Sequence, residues 1–90
     1  SLDDAPPAEA DDDTPDERMV RRERLDNIKR LFDRLPIPQR VAMQLRDVEG
    51  KSYKEISLIT GQTEEQVKVN IFRARQYIRK QMEKIENYGL

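Results

Sequence analysis

Apolar residues recur along this chain at intervals of three and four, which gathers them on one face of a helix, and nowhere do they alternate as a strand requires. The first stripe, Leu25, Ile28, Phe32 and Leu35 with Leu31 beside it, predicts an amphipathic helix ending near Arg34. Thr14-Pro15-Asp16-Glu17 marks its start, a capping box with proline at the first helical position. Pro36 and Pro38 break that helix, because proline lacks an N–H and restricts the residue before it; Pro38 then suits the opening of the next helix. A second stripe, Ile37, Val41, Leu45 and Val48, predicts a helix to about Asp47, closed by Glu49-Gly50-Lys51. Ser52-Tyr53-Lys54-Glu55 is another capping box and opens a short helix, Tyr53 to Thr60, expected to bury Ile56, Ile59 and part of Tyr53. Gly61 ends it. Thr63-Glu64-Glu65-Gln66 caps the last and longest helix, which should run to about Glu86 with Val67, Ile71, Ala74, Ile78 and Ile85 on its inner line. The expected fold is all-α: a four-helix domain over residues 14–90 with a C-terminal helix-turn-helix, preceded by a disordered acidic arm over residues 1–13.

The last helix carries a second face. At about 100° per residue, Val69, Phe72 and Gln76 point away from the inner line, so Phe72 is exposed by placement. A short helix, a glycine turn and a second helix with an aliphatic residue six positions past the glycine is helix-turn-helix spacing, and Gly61 and Val67 fit it. Ser57, four residues before the glycine, is small enough to let the two helices approach. Such a second helix can enter a major groove and read base edges with its outward side chains. Lys68, Arg73, Arg75 and Arg79 crowd it with positive charge. Two plainer readings stand beside this one: each cation taken singly is a solvated surface charge, and a fifth helix or a partner protein would cover Val69 and Phe72 equally well.

Charge sharpens the picture. The net charge of the 90 residues is -1, yet the first 17 hold eight acids and no base. Residues 18–90 therefore hold 17 bases against 10 acids, a net of +7. A basic domain attracts polyanions, and the acidic arm beside it is either a linker or a shield for the same surface. The arm is rich in aspartate, proline and alanine, with too little apolar surface to offset the entropy of ordering it. The chain has no cysteine and no histidine, which removes disulfides, thiolate chemistry, the usual zinc ligands and the commonest general base. Glu64 and Glu65 sit in the first turn of a helix, where they favour the dipole, and no nucleophile and base pair up, so neither catalysis nor a cofactor or metal is expected. The apolar runs are far shorter than the roughly 20 residues that span a bilayer, which fits a soluble, intracellular protein. The chain opens on Ser1 rather than methionine, as a piece of a longer protein would.

Four ordered segments resemble a known family: Leu35-Pro36-Ile37-Pro38-Gln39-Arg40, Leu45 through Ile56, Gly61 through Lys68, and Ile71-Phe72-Arg73-Ala74-Arg75. Over about residues 22–82 they look like region 4 of sigma-70 family factors, with the extracytoplasmic-function group the nearest likeness. The resemblance implies a non-enzymatic, bacterial and cytoplasmic role in transcription initiation. Region 4 reads the -35 promoter element in the major groove while its first helices engage the flap of the RNA polymerase beta subunit. Carried over, base reading falls to Lys68, Val69, Phe72 and Arg73. Backbone contacts fall to Thr63, Gln66, Asn70, Arg75 and Arg79. Val69 and Asn70 stand where many members have serine and arginine, which lowers the number of hydrogen bonds available to DNA. The partners implied are promoter DNA and the polymerase, with an anti-sigma factor as a further candidate. The arm would be the linker from a region 2 domain. Response-regulator modules share the helix-turn-helix spacing, but the first and last of the four segments argue against that class.

Overall fold

The computed structural model describes residues 13–89 of the chain. Among them are four α-helices and no strand: α1 (Pro15–Asp33), α2 (Ile37–Met43), α3 (Tyr53–Thr60) and α4 (Glu64–Tyr88). The all-α fold expected from the sequence is the fold observed. The acidic arm lies, apart from Asp13, outside the described residues.

All three capping boxes form. The side chains of Thr14, Ser52 and Thr63 each accept from the backbone N–H three residues on, and Glu17, Glu55 and Gln66 each return a bond to the cap's own N–H. Each box satisfies two of the orphan donors at a helix start. Pro38 stands in the first turn of α2, where its missing N–H costs nothing.

The α2 helix departs from expectation. Its α-geometry stops at Met43, and the chain continues without a break into a π-helical turn, Gln44–Val48. The wider turn admits one extra residue and rotates the positions after it about the helix axis. Arg46 Nη1 then donates to the Lys51 carbonyl at 2.9 Å, and the Lys51 N–H donates to the Leu45 carbonyl at 2.9 Å. Gly50, in the left-handed region at φ 73°, sits inside this closed loop.

The α4 helix is the spine of two apolar clusters. Its first half contributes Val67 and Ile71, which pack with Ala42, Leu45 and Ile56 from α2, the π turn and α3. Its second half contributes Ala74, Ile78 and Met82, which pack with Leu31 of α1 and Leu35 of the connector that follows it, with Met43 of α2 alongside. The α1 helix runs back along α4, with Leu35 by Tyr77 and Arg24 paired with Glu86 at 3.0 Å. Ile56, Val67 and Ala42 are fully buried, and each large aliphatic side chain removed from water stabilises the fold by about 1.5–3 kcal/mol.

Four residues expected in the core are exposed: Leu25, Ile37, Val48 and Ile59. Leu25 lies on the flank of α1, Ile37 precedes the point where α2 meets α4, and the π turn swings Val48 outward. Ile59 is one position off the line of Tyr53, Ile56 and Thr60 that faces the rest of the fold. Two residues take up the core positions that the stripes missed. Ala42 is buried because its small side chain lets α2 approach α4 closely, and Met82 is buried where Ile85, one turn later, is only half-buried.

Candidate nucleic-acid interface

The turn between α3 and α4 is knitted by side chains. Gly61 takes φ 80°, a left-handed conformation, and its N–H donates to the Ser57 carbonyl at 2.9 Å. The Ser57 hydroxyl crosses the turn to the Gln62 carbonyl at 2.6 Å. Ser57 thus does more than leave room for the helices, the role that its size alone suggests. Thr60 Oγ1 donates to the Ile56 carbonyl at 2.7 Å and accepts from the Gln62 N–H at 3.2 Å. Gln62 Oε1 accepts from Asn70 Nδ2 at 2.6 Å, fastening the turn to the second turn of α4. With nearly every polar group of the turn engaged, the angle between the two helices is held from both sides.

This frame sets the outward face of α4. Val69 lies at its centre, about 160° around the helix from the buried Ile71. Phe72 flanks it on one side and Arg73 on the other; Val69 is 44% exposed and Phe72 64%. Arg73 is exposed and makes no ion pair among the described residues. Glu65, one turn before Val69, is also exposed and lines a shallow groove with Val69, Gln66, Arg73 and Pro38. The sequence marks Glu65 only as a first-turn acid; its place on this face follows from helix geometry once the buried line is fixed.

The other residues predicted for DNA are placed differently. Lys68 is exposed, with its Nζ 5.5 Å from the centre of the Tyr53 ring. Arg46 approaches the same ring at 4.7 Å, so one aromatic ring meets cations from the π turn and from α4. The sequence predicts only partial burial for Tyr53 and misses this use, for which helical periodicity carries no signal. Arg75 is held by Asp47: Nε donates to Oδ2 at 2.9 Å, and Nη2 pairs with Oδ1. That bond, chiefly, raises the guanidinium pKa above its ordinary value. Asn70 is half-buried on Gln62, whereas Arg79 is exposed further along α4. Thr63 and Gln66 occupy the capping box at 3.1 and 2.8 Å, both exposed at the helix start.

A stiff helix-turn-helix that projects a mixed apolar and cationic face from its second helix defines a DNA-binding module. The chain belongs to the sigma-70 region 4 family: the family profile described as Sigma-70, region 4 matches residues 25–78, from the middle of α1 to the middle of α4. That family is a DNA-binding, regulatory part of sigma factors and not an enzyme family. Comparison with curated proteins and with solved structures returns no match. Among the described residues, no helix is long and apolar enough to cross a membrane.

Proposed function

We propose that this domain recognises a -35 promoter element through the major groove and docks on the flap of the RNA polymerase beta subunit, as a region 4 of the extracytoplasmic-function group. The observation that carries the reading is the outward face of α4, where Val69, Phe72 and Arg73 stand exposed on a helix whose start is fixed by a bonded turn. A helix of this width fits the major groove, and cations beside its start attract phosphates. The exposed Ile37 and Val48, with the half-buried Val41, give α2 and its π turn an uncovered apolar side on which a polymerase segment can pack.

Binding to promoter duplexes should weaken steeply as salt rises, because phosphate contacts release counterions. Arg73→Ala and Phe72→Ala should lower the preference for promoter over random duplex, while Arg79→Ala should weaken both alike. If no substitution on α4 alters discrimination, the base-reading role is wrong. For the second contact, Ile37→Asp is expected to abolish capture by the flap tip with DNA affinity unchanged. Loss of both together would argue against separate surfaces.

A further inference from the structure

The outward face of α4 offers fewer free hydrogen-bonding groups than its sequence suggests. The Arg75 guanidinium is bound to Asp47 and the Asn70 amide to Gln62, while the exposed Lys68 ammonium keeps its N–H donors and lies to the side, 5.5 Å from the centre of the Tyr53 ring. These three sit on the flanks of α4. The centre belongs to Val69 and Phe72, one turn apart, with Arg73 beside them. An apolar side chain pressed against a base amino or carbonyl group strips that group of water and gives nothing back. The major-groove edge offers a single apolar feature, the C5-methyl of thymine.

We propose that Val69 and Phe72 read thymine methyl groups, and that this apolar contact supplies the larger part of the domain's sequence discrimination, with Arg73 placed for an adjacent guanine. The inference rests on the DNA-reading role proposed above. Side chains three apart on a helix stand about 5–6 Å from each other. Bases on one strand are separated by about 3.4 Å. The two methyls therefore belong to neighbouring base pairs or to pairs one step apart. Discrimination built this way is modest per contact and sensitive to loss of a single carbon.

The test uses the full 90-residue chain and a randomised duplex pool. The sequence enriched by binding is resynthesised with each thymine replaced in turn by deoxyuridine, which pairs identically and lacks only the methyl. Removing a methyl at one or two adjacent positions should weaken binding about three- to fivefold, the scale of one buried methyl group. The loss should shrink towards nothing in Val69→Ala or Phe72→Ala, each of which removes exposed atoms and leaves helicity by circular dichroism unchanged. Arg73→Gln should retain the methyl effect and relax preference at a guanine. Sequence-specific binding with every deoxyuridine neutral overturns the inference while leaving DNA reading intact. No enrichment from the pool overturns the DNA-reading role itself and the inference with it.

Discussion

Gly61 stands at the joint of the helix-turn-helix with open space where a Cβ would be, so replacing it tests backbone conformation alone. Gly61→Ala should cost about 1–2 kcal/mol, because a left-handed conformation crowds Cβ against the carbonyl. Chemical denaturation would read the shift. Ile56→Ala leaves a hole in a fully buried position and should cost about 2–5 kcal/mol by the same measurement. Glu55 adds a pH dependence. The Ser52 N–H donates to its carboxylate at 2.8 Å, and chiefly this bond holds its pKa below the ordinary value. A carboxyl whose pKa falls on folding stabilises the fold above its unfolded pKa, about 4.3. That contribution disappears as pH drops from there through the lower folded pKa. Glu55→Gln should flatten the acid limb of a thermal-melt series over that window. At this scale the sequence is informative wherever a motif has local geometry: each capping box and the position of Gly61 are legible. Ile59 is not, because an eight-residue helix exposes most of its circumference and one position decides burial.

The π turn is the element that helical periodicity could not foresee. One extra residue in Gln44–Val48 turns Val48 into solvent and brings the consecutive residues Arg46 and Asp47 toward α4. Arg46 shares the Tyr53 ring with Lys68, and Asp47 grips Arg75, two turns later on the same side of α4. Both links act on the rotation of α4 about its own axis. The pair is partly exposed, at 30% for the Asp47 side chain and 44% for that of Arg75, so water screens it. A double-mutant cycle on Asp47→Asn and Arg75→Gln should therefore give a coupling of about 0.5–1 kcal/mol. Deleting one residue from the turn is expected to do more, since regular α-geometry would carry Asp47 away from Arg75. Loss of the coupling in such a deletion, measured by the same cycle, checks the assignment. Helix ends other than the α2-to-π junction at Met43 are legible to within a residue or two; which apolar side chains find a partner is not. A stripe records the face that can be buried, while burial of Ile37 depends on where α4 ends up.

Over the whole molecule, α1 and α4 run in opposite directions, so Asp13 and the outward face around Val69 and Phe72 lie at opposite ends. From Phe72 to Glu86 is about 21 Å of helix, and from Arg24 back to Pro15 about 14 Å more. Residues 1–12, fully extended, span at most about 40 Å. A chain of that length reaches the face around Phe72 only when nearly every residue is stretched, at a high cost in entropy. Removing residues 1–12 is therefore expected to change DNA affinity at low salt by less than about twofold, read by fluorescence anisotropy, and a large gain would restore the shielding role. The division of the core has its own consequence. The α1-side cluster is covered by Leu31 and Leu35 with Met43 of α2 alongside, so a partner that peels α1 away uncovers much of Ala74, Ile78 and Met82 while Val67 and Ile71 stay covered by α2 and α3. The half of the spine that carries Val69 and Phe72 keeps its anchorage when the other half is lent out.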